Sequence, residues 1–417
     1  MKKLAILAML LFVLAFGCGV IACDDGEATQ PPETTSTGPK EDVVITIGNL
    51  TDITGVSANA QVVINMALDD LVEYYNEENL IPRVKLKVVT YDGQLDPAKD
   101  IPGYEWLKEH GADLIFTGVP DTPLTLKPIV DKEKMVLFAA SGYKEMLDPP
   151  GYVFVLGSIP QHQAFTFLKW IAENYWDYPD NRPAKIGGAS WTDGYSQSFI
   201  AAMKDYAEAH PEQFEWEGGY LTNFSFIWGA EVEALKDCDY VFPCTMPVAF
   251  VEQYRKAAYT AKFIGCDVHT AFFNMITSAK LWDEIDGMPI VKGGFYWWYE
   301  GGELANLAET ILYKYHPDEA EEIIQSGAGY TALANCFYPM LEIIADAVEA
   351  VGPENFNSQA LYDATTSYSL IIDGVEKSSF TDTRRYALTH YSIYEASASD
   401  ETMVRLDPDW IPVVLEP

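Results

Sequence analysis

The chain has 417 residues, 48% of them hydrophobic, and its 62 Asp and Glu against 27 Lys and Arg give a formal net charge of −35. So negative a charge excludes nucleic acid and anionic membrane surfaces as partners, because both repel it. The apolar content is ample for real cores, and the length of residues 42–417 suggests two domains rather than one.

Lys2 and Lys3 open the chain with positive charge, and Leu4–Phe16 is almost wholly apolar. A spanning helix needs roughly 20 apolar residues, so this shorter run, within residues 1–22, reads as a secretory signal rather than an anchor helix. Val20-Ile21-Ala22-Cys23 resembles a bacterial lipobox, whose cysteine receives diacylglycerol. Ala15-Phe16-Gly17-Cys18 fits less well, because Phe16 is bulky. Cys23 is therefore the expected lipidation site, and acyl chains gaining roughly 0.8 kcal/mol per buried CH₂ hold a protein at a membrane. Residues 23–41 combine Thr, Pro, Gly and acids with no apolar periodicity, the composition of a flexible tether.

Beyond the tether, short apolar runs alternate with amphipathic stretches. Val43–Leu50 predicts a strand, Thr51–Ser57 a polar turn, and Val63, Met66, Ala67, Leu71 and Tyr74 one stripe of a helix. Strands follow at Val84–Tyr91, Ala112–Thr117 and Met135–Ala140, with helices at Ile101–His110, closed by Gly111, and at Pro123–Lys132. After Pro149-Pro150-Gly151, Tyr152–Gly157 reads as a strand leaving this first unit. A second series begins with a helix over Gln161–Tyr175, a strand over Ala184–Ser190, a turn at Trp191–Ser196 and a helix over Gln197–His210. Strands at Phe214–Leu221, Asp239–Cys244 and Lys262–Cys266 continue it, with helices near Val248–Tyr259 and Thr270–Trp282. Val291–Tyr299 reads as a return strand, which would send Tyr296, Trp297, Trp298 and Tyr299 alternately to opposite faces. Leu304–Tyr315 and Tyr330–Val351 read as helices and Tyr386–Ala396 as a strand.

This rhythm means βαβ units and largely parallel sheets. The halves open alike, on Ile47-Gly48-Asn49-Leu50-Thr51-Asp52 and on Ile186-Gly187-Gly188-Ala189-Ser190-Trp191-Thr192-Asp193. Two such sheets facing each other put their strand C-terminal ends at one cleft, where open α/β sheets bind ligands. Cys238 and Cys244 bracket one predicted strand and lie too far apart to bond, and free buried thiols are expected for these two, Cys266 and Cys336. Cys244, Cys266, Asp267 and His269 offer metal-binding chemistry but lack the tight Cys-x-x-Cys spacing of a structural zinc site, so no metal is expected. There is no Gly-x-Ser-x-Gly, Walker or His-Glu-x-x-His motif, and an enzyme is not expected.

Ile47-Gly48 followed by Thr54-Gly55, Tyr91-Asp92-Gly93-Gln94 with Asp96-Pro97-Ala98, Gly118 after Phe116, and Tyr152-Val153-Phe154 form an ordered set. Over Val43 to Tyr394 this order resembles the type I periplasmic binding proteins of the leucine/isoleucine/valine-binding kind, which serve ABC transporters. The resemblance implies an α/β fold of two doubly wound, largely parallel-sheet lobes joined by three crossover strands. The lobes would be residues 42–155 plus about 298–380 and residues 156–297 plus about 381–417. It implies a monomeric, exported, lipid-anchored solute-binding protein that uses no cofactor, does no chemistry on its ligand, closes by a hinge and delivers to a membrane ABC permease complex. A ligand-sensing protein for a membrane receptor is the alternative, ahead of a metal-binding or hydrolytic one.

The resemblance also implies a ligand, an amino acid or related amine or amide, and its contacts. Thr54 falls in the first loop. Asp121 and Thr122 follow the third strand, and Ser141, Gly142 and Tyr143 follow the fourth, where Ser141 and backbone amides would grip an anion. Tyr195 falls on a ligand-stacking tyrosine, Thr245 and Met246 on the loop after the preceding strand, and Asp267 on the acid that pairs with a ligand amine. Asp267 equally suits the cap of the helix near Thr270. Asp121 and Tyr143 depart from the small polar residue and the threonine usual there, and an acid beside the clamp favours a cationic or hydroxylated group over a carboxylate.

Overall fold

In the strand Val43–Thr51, every residue from Ile45 onward is buried, so both faces are covered, as a central parallel strand flanked by helices requires. The computed structural model describes residues 41–417; the signal segment, Cys18, Cys23 and the tether up to residue 40 lie outside the described residues.

The first unit runs β1 (Val43–Thr51), α1 (Ala58–Glu77), β2 (Val84–Asp92), α2 (Asp100–Glu109), β3 (Leu114–Thr117), α3 (Thr122–Glu133), β4 (Leu137–Ser141) and β5 (Val153–Ser158). Its strands form one parallel sheet in the order β2-β1-β3-β4-β5. Tyr152–Gly157 therefore does not leave the first unit as expected: β5 pairs with β4 as the fifth strand, and the chain departs only after Ser158.

The second unit runs α4 (Pro160–Trp170), β6 (Ala184–Trp191), α5 (Gly194–Ala209), β7 (Phe214–Thr222), α6 (Gly229–Ala234), β8 (Tyr240–Phe242), α7 (Val248–Lys256), β9 (Lys262–Phe263), β10 (Gly265–Cys266), α8 (Asp267–Thr270), α9 (Phe273–Ala279), α10 (Trp282–Ile285) and β11 (Pro289–Gly293). The strands β7-β6-β8-β9 form a second parallel sheet. The expected strand Lys262–Cys266 is divided at Ile264, whose N–H still donates to Val241 at 3.0 Å, and β10 joins the next sheet.

The chain continues through α11 (Glu303–Tyr315), α12 (Ala320–Ser326), α13 (Tyr338–Val351), α14 (Ser358–Thr366), β12 (Ser369–Ile372), β13 (Val375–Ser379), β14 (His390–Ser397) and β15 (Thr402–Pro412). Here α11 and the turns over residues 329–337 pack on α1, where the Tyr330 hydroxyl donates to Asp70 at 2.6 Å and burial raises the Asp70 carboxyl. The last strands return to the second unit in a sheet of order β10-β11-β14-β15, antiparallel apart from the β10–β11 pair.

The chain is thus an α/β protein of two lobes, crossed at Ser158 to Ile159, after β11, and between β13 and β14. In the last crossing Val155 donates to Arg385 O and Ala387 donates back to Val155 O, each at 2.8 Å, so residues 385–387 edge the first sheet before β14 enters the second lobe. The expected return strand Val291–Tyr299 stops at Gly293. The chain then turns, and Trp297 and Trp298 are both buried while Tyr299 is 61% exposed. A loop has no twofold side-chain alternation, so the expectation of opposite faces does not apply. The expected helix Tyr330–Val351 divides into a tight turn, a π-helical turn at Leu333–Phe337 and α13. Cys238, Cys244, Cys266 and Cys336 are buried free thiols.

Candidate functional site

The parallel sheets end at a cavity of about 250 Å³ between the lobes. Its first-lobe wall comes from the start of α1 and the loops after β3 and β4, with Gln61, Ile64, Asp121 and Ser141. Gln61 is locked in place, donating to Gly118 O at 3.0 Å and accepting from the Thr51 hydroxyl at 3.2 Å. The second-lobe wall carries Trp191, Asp193, Tyr195, Phe224, Thr245, Met246, Asp267 and Phe272. The crossings supply Ser158, Phe295 and Leu388, the strand β11 supplies Lys292, and the π-helical turn supplies Asn335 and Cys336. Such turns, in which the helical ladder is locally opened, recur at functional sites.

The polar groups divide into satisfied and unsatisfied sets. Asp267 heads α8 and takes the Ser158 hydroxyl on Oδ2 at 2.6 Å, a contact between residues 109 positions apart. The Tyr195 hydroxyl lies 3.3 Å from Asp267 Oδ1 and donates to Gln163. By contrast Lys292 Nζ, Asn335 Oδ1, Asp193 Oδ2 and the Tyr143 hydroxyl are buried without a hydrogen-bond partner. Burial pulls the Lys292 ammonium down to about 8, against the opposing pull of Asp267. Burial raises the Asp193 carboxyl, and burial plus the charge of Asp193 raises Asp121.

The lobes touch beside the cavity. Asp193 caps α5, accepting from Ser196 N–H at 2.8 Å. Gly194, the first residue of that helix, is so close to the first lobe that a Cβ would lie 2.2 Å from Asp121 Oδ1 and 2.4 Å from the Tyr143 hydroxyl. A carboxylate at a helix N-terminus is favoured by the backbone dipoles, which suits Asp121 to this contact.

Of the residues expected from the sequence, Asp121, Ser141, Tyr195, Thr245, Met246 and Asp267 line the cavity, and four do not. Thr122 turns away from it: its hydroxyl donates to Asp100 at 3.0 Å, because Asp100 is a buried acid, pushed up to about 6, that needs the donor. Tyr143 sits at the lobe contact rather than on the cavity wall. Gly142 faces the first-lobe core, where a Cβ would meet Met146 Sδ at 2.5 Å. Thr54 is exposed and donates to Asp92 at 2.6 Å, organising its own loop. His269 is engaged through both ring nitrogens, Nδ1 accepting from Cys266 N–H at 3.1 Å and Nε2 donating to Pro243 O at 3.2 Å. Among the described residues no group of three or more His, Cys, Asp or Glu is placed to hold a metal ion, and no helix is long and apolar enough to cross a membrane.

Sequence reasoning missed Ser158, Asp193, Lys292 and Asn335. Lys292 alone carries a signal, as the single charge in the apolar run Pro289-Ile290-Val291-Lys292-Gly293. The cavity floor is also tight: a Cβ on Gly157 would lie 2.1 Å from Ala140 O. Gly157→Ala is expected to destabilise the protein by about 1–3 kcal/mol through this backbone clash, read as a fall in denaturation midpoint. An unchanged midpoint would show that the strands part freely there.

A family model described as periplasmic binding protein matches residues 44–401. Solved structures share the fold. A branched-chain amino acid ABC transporter protein of Thermus thermophilus with bound valine aligns at TM-score 0.77 and 17% identity, covering 90% of this chain and 98% of its own. A solute-binding protein of R. palustris in complex with benzoate aligns at TM-score 0.70 and 13% identity, covering 89% and 98%. A fatty acid ABC transporter substrate-binding protein of Thermomonospora curvata aligns at 0.72 and 16%, covering 90% and 97%. No curated protein sequence gives a significant match.

Proposed function

The chain belongs to the periplasmic binding protein family, and we propose that it captures an amino acid or a related amine or amide in the interlobe cavity for an ABC permease complex. The observation that carries this reading is that both lobes and their crossings put polar side chains into one cavity of about 250 Å³. Closing lobes of this kind trap a ligand from both sides and need no chemistry to do so. The valine held by the Thermus relative supports an amino-acid ligand, and the benzoate and fatty-acid relatives widen the field to other small organic acids. Asp267 takes the donor end of the ligand, and Tyr195 and Phe272 wall its body.

A thermal-shift screen of amino acids, amides, polyamines and aromatic acids tests this reading, since a ligand at 100 times its Kd adds roughly 2.7 kcal/mol of stability. With a ligand in hand, Asp267→Asn is expected to weaken an amine-bearing ligand by about 2 kcal/mol or more and a neutral one far less. Equal losses would remove the amine-acceptor role. The reading includes a monomer exported and anchored through Cys23. Cys23→Ala is then expected to leave the protein soluble or uncleaved, read by cell fractionation and blotting, while Cys18→Ala does not, and the reverse result would move the anchor.

A further inference from the structure

Lys292 lies inside β11, where all five residues are buried, and is itself 1% exposed. Its ammonium has three protons to donate and no hydrogen-bond partner. A buried ammonium that donates to no acceptor is among the costlier features a fold can keep, and the charges of Asp267 and Glu300 offset its burial only in part. Trp297 offers only a ring face, 5.8 Å from Nζ to the centroid.

The charged and titratable groups around it are already engaged or remain neutral. Asp267 on α8 holds the Ser158 hydroxyl, and Glu300, in the loop after β11, takes the Tyr394 hydroxyl and Trp297 N–H. Arg405 on β15 stands 4.0 Å from Glu300 and turns its Nε to Asp407 O. Cys336 in the π-helical turn is held up to about 12 by burial, so its thiol stays neutral. Lys292 nevertheless lines the cavity, as does Asn335, whose Oδ1 is also unpartnered. At the lobe contact the paired acids Asp121 and Asp193 would repel an anion.

We propose that Lys292 is the anion anchor of this cavity, taking the carboxylate of a solute that carries it on a largely apolar body. The inference rests on the solute-binding reading above and deepens it. The carboxylate end then sits at β11 and not at Ser141 at the end of β4. Phe224, Phe272 and Phe295 enclose the body.

The test uses the mature protein and three acid–amide pairs, benzoate with benzamide, hexanoate with hexanamide, and leucine with leucinamide, by calorimetry. At least one acid is expected to bind. Lys292→Met is expected to weaken that acid about 30-fold or more, as loss of one partner of a buried charge pair does. Ser141→Ala should weaken it far less, and the amide should change little in either variant. Binding of benzoate or hexanoate should hold steady below pH 8 and fall above it, where the free ammonium titrates, in the wild type alone. An acid bound equally well by Lys292→Met, a larger loss in Ser141→Ala, or binding of amides only would overturn the anchor and leave the solute-binding reading standing. Failure of every pair together with the wider screen would overturn both.

Discussion

Arg385→Ala is expected to cost about 3–4 kcal/mol of folding stability, among the largest losses that one substitution brings here. Arg385 is only 2% exposed, in the crossing between β13 and β14. Its Nε donates to Gly151 O at 2.8 Å, and its two terminal nitrogens reach Thr381 O and the Tyr362 hydroxyl. The guanidinium lies over the Phe154 ring, 4.7 Å from the centroid, and over Tyr362 at 5.2 Å. One side chain thus ties the loop before β5, the helix α14 and the crossing segment together. Alanine would take the Arg385 donors from the Gly151 and Thr381 carbonyls and leave a void between two rings. Arg385→Lys keeps the charge but not the planar fork, so it should recover only part of the loss. Urea denaturation with an unchanged m-value is the measurement. A loss below about 1 kcal/mol, the size of a solvated surface pair, would show that water replaces the guanidinium.

The opposite sign is expected at Lys292. Lys292→Met should raise the stability of the ligand-free protein at pH 7 by on the order of 3 kcal/mol, because methionine fills the volume without a buried charge. The folded state holds this ammonium down near pH 8, against an ordinary value of 10.5. A lysine depressed in this way destabilises the folded protein in full below about 8. That cost is relieved as pH rises from there toward the unfolded value, where both states lose the proton. The wild type should therefore close the gap to the variant between pH 7 and pH 10. Paired melting curves across that range check the effect. A variant less stable than the wild type would show that Lys292 is already paired within the protein. The expected result also means that the variant folds, so a loss of acid binding in it reports the site.

Much of the architecture is legible along the chain. Strand and helix order follows from local period: Ile45, Ile47 and their neighbours mark β1, and Ala67 and Leu71 mark the buried face of α1. Ser141, Tyr195 and Asp267 could be placed near strand ends because a βαβ rhythm dictates where those ends lie. Element edges needed more than period. The strand ending at Gly293 and the broken helix before α13 look continuous in sequence, because aromatic and apolar residues suit a buried loop as well as a regular element. Likewise β5 looked like an exit, since nothing in Val153–Ser158 names the neighbour it pairs with.

Sequence by itself determined the alternation of apolar and polar residues, the two-lobed α/β class and the strand ends that face the cleft. Tertiary structure alone decided which side chains reach the cavity. Thr122 turned to Asp100, Ser158 found Asp267 across 109 residues, and Lys292 was left without a partner. The physical reason is that period reports only whether a position is buried. The choice of a hydrogen-bond or charge partner is made through space, between segments whose separation along the chain carries no record of their meeting.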